Sequence, residues 1–67
     1  MKISEMRKKA GFPTQRELAN SLGVNRGMVA KWEVGLVYPH ASMLPKIAAL
    51  LNVSEGEIIA AITAARG

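Results

Sequence analysis

Glycines punctuate the first half of the chain and cut it into short segments. Gly11, Gly23 and Gly35 each follow a stretch in which apolar residues recur every three or four positions, and a glycine in the left-handed conformation commonly ends a helix. No stretch alternates apolar and polar residues over a useful length, so no strand is expected. The pattern predicts an all-α fold of five short helices.

The first three helices are expected at about 2–10, 14–22 and 26–34. In the first, apolar residues share one face and the basic residues 7–9 lie largely elsewhere. Thr14 and Glu17 have the spacing of a reciprocal capping box at the start of the second. Gly23 then takes the positive φ of a tight turn, and Asn25 is a favourable N-cap for the third helix.

The fourth helix is expected to begin near Ser42, with Pro45 in its first turn, where the missing N–H costs little. The last helix, about 55–65, begins at a second capping box, Ser54 to Glu57. On a helical wheel its core face consists of four residues: Ile58, Ala61, Ile62 and Ala65. Ile59 lies beside that face, with Thr63 and Arg66 on the same flank. We interpret this flank as a dimer interface; the alternative is one ordinary exposed isoleucine.

Composition excludes several classes of protein. A chain of 67 residues predicts one domain, 1–67. It has no cysteine and one histidine, so we expect no disulfide, no metal site and no cofactor. No nucleophile–base set or paired carboxylates are evident, so we expect no enzyme and no small-molecule ligand. Without a signal peptide or an apolar run of about 20 residues, we expect a soluble, cytoplasmic protein and no membrane partner.

The positive charge is concentrated in the first half of the chain. Residues 1–35 hold seven Lys and Arg against three Glu, whereas residues 36–67 hold two of each sign, which gives the net +4. Such asymmetry suits a polyanion, either nucleic acid or acidic lipid. The alternative is a small protein kept in solution by surface lysines.

The segment from about 15 to 34 meets the steric demands of a helix-turn-helix. Ala19 is small enough for two helices to touch, and Gly23 follows four positions later with the conformational freedom of a tight turn. Val24, Val29 and Trp32 are spaced to anchor the second helix while its opposite face stays open. Each feature alone is weak, but together they indicate a DNA-binding motif.

These residues closely resemble the phage Cro/repressor (Xre-type) helix-turn-helix family over about Ile3 to Ile59. The matching stretches are 14–19, 22–25 and 29–35, followed by Pro39, Leu44, Ile47-Ala48 and Leu51-Asn52-Val53. The resemblance implies a five-helix lambda-repressor-like fold whose segment from Asn25 lies in the major groove. We therefore expect a Cro-like transcriptional repressor that binds a pseudo-palindromic double-stranded operator as a weak homodimer, and we expect no second domain for ligand sensing.

Four residues of the third helix are candidates for base recognition: Arg26, Gly27, Met28 and Lys31. Arg26 and Lys31 suit the acceptors of guanine, although Arg26 is also suited to a phosphate. Gly27 permits close approach of the backbone to the groove, or it is simply an exposed position without a role. Met28 suits a thymine methyl group or the edge of the core.

The candidate phosphate ligands are Thr14, Gln15, Arg16, Asn25 and Tyr38. The resemblance assigns the phosphate contact to Gln15 in particular, at the start of the helix that crosses the DNA backbone. The loop after Gly35 lacks the basic residues usual in phage members. For Tyr38 and His40, loop residues without a function are an equal alternative.

The resemblance also pairs Glu33 with Arg7 in a salt bridge that fixes the orientation of the first helix. The alternative is a solvated carboxylate of little consequence. A second function remains open for the whole chain, because an antitoxin-type interaction module uses the same fold. That function predicts an apolar patch that is unoccupied in the isolated protein.

Overall fold

The computed structural model describes residues 1–67 as five helices and no strands: α1 Ile3–Lys9, α2 Gln15–Leu22, α3 Arg26–Glu33, α4 Leu44–Leu51 and α5 Glu55–Arg66. The predicted all-α class and its lambda-repressor-like arrangement are confirmed. Helices α2 and α3 pack closely on each other, α4 packs on α5, and α1 contacts α3, α4 and α5.

All five helices contribute to one apolar core. Burying each large aliphatic side chain of this kind contributes about 1.5–3 kcal/mol. Trp32 is only 3% exposed, and its indole Nε1 has no hydrogen-bond partner, so apolar packing holds this ring. The buried apolar residues are Ile3, Met6, Leu18, Ala19, Leu22, Val29, Trp32, Ile47, Leu51, Ile58, Ala61 and Ile62.

Local capping bonds set where the helices begin. Ser54 and Glu57 form the predicted reciprocal box, in which the amide of each donates to the side chain of the other at 3.0 Å. The prediction of a reciprocal capping box at the start of α2 is wrong. Thr14 Oγ1 accepts from the Glu17 amide at 3.2 Å, but the Glu17 side chain is exposed and makes no return bond.

The observed helix boundaries differ from the predicted ones by at most two residues. Helix α3 ends at Glu33, and Val34 is its C-cap. Helix α4 begins at Leu44 and not near Ser42, because residues 41–43 form a separate turn in which the Met43 amide donates to the His40 carbonyl at 2.8 Å. Pro45 lies in the first turn of α4, as predicted.

Two predicted side-chain positions are also wrong. Arg7 is buried, although the helical pattern of α1 placed it largely away from the apolar face; a carboxylate from α3 compensates its charge. Ala65 is exposed and does not join the core face of α5, because it lies in the last turn of that helix.

The last turn of α5 lies directly against Gly35, which is buried. A Cβ atom at Gly35 would lie 2.5 Å from the backbone nitrogen of Arg66, and Gly35 has a φ of +78°. Only glycine fits this conformation and this close approach. The contact fixes the end of α5 beside the segment that leaves α3.

No single helix is long and apolar enough to cross a membrane. The segments Ala41–Leu51 and Glu55–Arg66 pass on length and composition only when taken together, and they meet at a bend of 102°.

Candidate DNA-binding surface

The turn between α2 and α3 is built by small residues and backbone hydrogen bonds. Ala19 is 1% exposed where the two helices meet, and Gly23 has a φ of +73°. The Val24 amide donates to the Ala19 carbonyl at 3.0 Å, which closes the turn. Val29 and Trp32 then hold α3 against the core, so the opposite side of α3 faces outward.

The four residues predicted to read bases divide into two groups. Arg26 and Lys31 are exposed, whereas Gly27 and Met28 are partly buried. Met28 packs against the core. A Cβ atom at Gly27 would lie 3.3 Å from Asn25 Oδ1, the oxygen that accepts from the Met28 amide at 2.8 Å. Glycine at this position therefore leaves room for the capping side chain, an explanation that the sequence did not suggest.

Several predicted phosphate ligands lie at the starts of α2 and α3. The side-chain oxygens of Thr14 and Asn25 accept capping bonds, and Arg16 is exposed. The backbone amides of Gln15 and Arg16 have no acceptor within the protein. Free amides at a helix N-terminus bind anions, so the start of α2 is suited to a phosphate oxygen.

A chain of side-chain hydrogen bonds connects four residues of α1, α2 and α3: Arg7, Glu33, Gln15 and Arg26. Arg7 Nε donates to Glu33 Oε2 at 2.7 Å, and Gln15 Nε2 donates to Glu33 Oε1 at 2.9 Å. Arg26 Nη1 donates to Gln15 Oε1 at 3.0 Å. The structure thus brings Arg7 and Glu33 together. It also joins a candidate phosphate ligand to a candidate base reader, which sequence reasoning missed.

Arg7 and Glu33 form a buried pair. Their side chains are 6% and 9% exposed, and Arg7 Nη1 also donates to the Phe12 carbonyl at 2.8 Å. This second bond fixes the turn between α1 and α2. Removing one partner of such a pair leaves an uncompensated buried charge.

Tyr38 contacts two residues that the sequence assigned to a dimer interface. Its hydroxyl lies 2.7 Å from Thr63 Oγ1, and Arg66 Cζ lies 5.4 Å from the centre of its ring. The hydrogen bond with Thr63, and then the nearby Arg66 guanidinium, lower the pKa of Tyr38 below its usual value. No spacing in the sequence signals these contacts, which span 25 residues or more of chain.

The third predicted interface residue, Ile59, is an exposed apolar residue of α5. It is 41% exposed and shares the outer side of α5 with exposed Ala60 and Thr63. Between Glu57 and Arg66 this helix carries no charged residue, so its outer side is a continuous uncharged surface.

A groove lies between α1, the end of α3 and α5, and we call it the apolar groove because most of its lining is apolar, although Lys2, Glu5, Glu33 and Glu57 also line it. Its volume is about 720 Å³, and its most exposed apolar members are Met1 and Val34, at 67% and 65%. No group of three or more His, Cys, Asp or Glu side chains comes together to hold a metal ion.

Comparison with protein families shows which family this chain belongs to. The family model described as a helix-turn-helix domain matches residues 1–62. The chain belongs to this family, of the Xre/Cro type. Comparison with curated proteins and with solved structures gave no match. As a member, this helix-turn-helix domain is a DNA-binding domain of a family that is typically non-enzymatic.

Proposed function

We propose that residues 1–67 form a single DNA-binding domain that acts as a sequence-specific transcriptional regulator, a repressor of the Cro type. The observation that carries the proposal is the exposed start of α3, where Arg26 is hydrogen-bonded to the side chain of Gln15, the first residue of α2, whose own backbone amide is free. This arrangement combines a side chain suited to guanine with backbone donors suited to phosphate.

Arg26 and Lys31 read bases in this proposal, and both are exposed on α3. Arginine pairs bidentately with guanine O6 and N7, and lysine reaches the same acceptors. Gly27 allows the α3 backbone to approach the major groove of the DNA, and Met28 lies at the edge of that contact. Phosphate contacts then come from the starts of α2 and α3, through Thr14, Gln15, Arg16 and Asn25, and from Tyr38 in the loop after Gly35.

A homodimer provides the two half-site contacts of a pseudo-palindromic operator. The uncharged outer side of α5, with Ile59 at 41% exposure, supports an interface there that includes Thr63 and Arg66. Reading helices of a bound dimer lie about 34 Å apart. Each protomer measures 26 × 22 × 22 Å, so two copies in contact are long enough to span that distance. Bound there, the dimer represses by blocking polymerase.

Selection from a random double-stranded DNA pool tests specific recognition. The expected result is one enriched, dyad-symmetric site. On that site, Arg26→Ala should lower discrimination at one base pair by about 1–3 kcal/mol. Lys46→Ala is the matched control, because Lys46 is exposed on α4 and its loss also removes one positive charge. Enrichment of no sequence would refute the proposal, and an equal loss on all sequences would make Arg26 a phosphate ligand.

Ile59→Arg tests the dimer interface. A charge at this position should weaken cooperative binding to the full site and leave the monomer folded. Ala49→Arg is the control, because Ala49 is exposed on α4 and the substitution adds the same charge outside the proposed α5 interface. Equal cooperativity in the two variants would assign the dimer to another surface.

The apolar groove favours a second candidate function, an antitoxin-type interaction module. Exposed Met1 and Val34 at its rim fit a protein partner that covers them. In that case Val34→Arg should abolish binding of a purified partner and leave DNA binding unchanged. If the partner still binds this variant, the groove is not its site.

A further inference from the structure

Glu33 is the one acidic side chain of the chain that is largely buried, with 9% of its side chain exposed. Both of its oxygens are used, one by Arg7 and the other by Gln15. The pair with Arg7 accounts for one oxygen only. The bond to Gln15 has no role in joining α1 to α3, so it calls for a separate explanation.

The Glu33 carboxylate determines which way the Gln15 amide faces. An ionised carboxylate only accepts hydrogen bonds, so it takes the Gln15 NH₂ group and turns the amide oxygen the other way. That oxygen accepts from Arg26 Nη1 at 3.0 Å. We propose that Glu33 is a positioning residue for base recognition: its carboxylate fixes the Gln15 amide, whose oxygen holds Arg26 in one orientation. This inference rests on the proposed base contact of Arg26.

The fixed orientation matters because arginine is long and has five N–H donors. A free guanidinium reaches phosphates and several base edges, whereas a guanidinium held at one Nη1 presents its remaining donors in one direction. Guanine O6 and N7 satisfy such a fixed pair of donors. An acidic residue at the far end of α3 thereby sharpens discrimination without touching DNA.

The competing explanation is that Glu33 serves only the buried pair with Arg7. The double variant Arg7→Met, Glu33→Leu separates the two, because apolar residues of similar volume commonly replace a buried ion pair without loss of stability. We expect this variant, which also loses the Arg7 bond to the Phe12 carbonyl, to remain folded and to lose about tenfold discrimination at the base pair read by Arg26. Its affinity for unrelated DNA should change far less.

Glu33→Gln provides a second variant of the same shape. The new amide can donate to Gln15 Oε1, which releases the Gln15 amide to turn its NH₂ group toward Arg26. Discrimination should again fall. In an Arg26→Ala background, neither Glu33 variant should cause any further loss at that base pair, because the residue being positioned is absent.

Nuclear magnetic resonance on the free protein tests the restraint without DNA. Relaxation of the Arg26 Nε–H group should report greater motion in both Glu33 variants than in the parent. Unchanged motion, or parental discrimination in a folded variant, would overturn the proposal. If Arg26→Ala relaxes no base pair although a site is enriched, base reading by Arg26 fails and the positioning role falls with it. Enrichment of no site is the separate failure of the proposed function.

Discussion

Gly35 connects the end of α3 to the last turn of α5, and the substitution Gly35→Ala tests that contact. The residue has a φ of +78°, and a Cβ atom there would lie 2.5, 2.8 and 2.9 Å from three backbone atoms of residues 65 and 66. Because these atoms belong to a helix backbone, no side-chain rotation relieves the overlap. The two segments have to move apart.

The cost has two parts. A residue with a Cβ atom loses about 1–2 kcal/mol in the left-handed region. Forcing atoms into a closely packed site costs about 1–3 kcal/mol more. The sum, about 2–5 kcal/mol, is a large share of the roughly 3–10 kcal/mol expected for a chain of this length. In a domain of this size it corresponds to a fall in Tm of more than about 10 °C.

Gly23→Ala is the matched control for this substitution. Gly23 has a φ of +73°, but a Cβ atom there meets nothing within 4 Å, so only the conformational cost of about 1–2 kcal/mol applies. Urea unfolding of both variants, followed by circular dichroism, measures the difference. Gly35→Ala should be the less stable by about 1–3 kcal/mol. Equal stability of the two would refute the close approach of α5 to Gly35.

Three further substitutions address the caps and the buried pair. Asn25→Ala removes the oxygen that caps α3 and should cost about 1 kcal/mol in urea unfolding; a parental stability would mean that water caps the helix equally well. Arg7→Ala leaves the Glu33 carboxylate without its cation and should cost about 3–5 kcal/mol, and a loss below about 1 kcal/mol would show a solvated pair. Hydrogen bonds from the α5 N-cap lower the pKa of Glu57 below 4.5, so its stabilisation is complete above that pH and disappears as the pH falls through the lowered pKa. The destabilisation caused by Glu57→Gln should therefore shrink as the pH falls below 4.5, and a difference that stays constant from neutral to acid pH would contradict this cause.

Most of the fold could be predicted because its signals are local. The caps at Asn25 and Ser54 act over three residues, and the positive φ at Gly23 follows from the need to turn between two helices. The start of α4 shifted because a separate turn at 41–43 precedes this helix. Pro45 does not reveal this turn in the sequence. A proline is tolerated in the first turn of a helix that begins near Ser42 and equally in one that begins at Leu44.

The sequence predicts the residues of the candidate site better than it predicts the hydrogen bonds between them. Spacing and residue type singled out Arg26 and Gln15, and the family resemblance paired Arg7 with Glu33. The bonds from Gln15 to Glu33 and from Arg26 to Gln15 span 18 and 11 residues of chain. Many polar side chains satisfy a spacing of that kind, so only the packing of α2 against α3 selects these partners. A glutamine expected to be free for phosphate therefore also carries an internal structural bond.

Tyr38 connects the two surfaces that the sequence treated as separate. Its hydroxyl lies 2.7 Å from Thr63 Oγ1, where either oxygen is able to donate. A phenol has one proton, so Tyr38 donates to a phosphate only when Thr63 donates to Tyr38. A second copy that takes the Thr63 proton for its own interface removes that arrangement. The proposed dimer contact and the proposed phosphate contact are therefore coupled through the hydroxyls of Tyr38 and Thr63. Arg66 lies close to this pair, 5.4 Å from the centre of the Tyr38 ring.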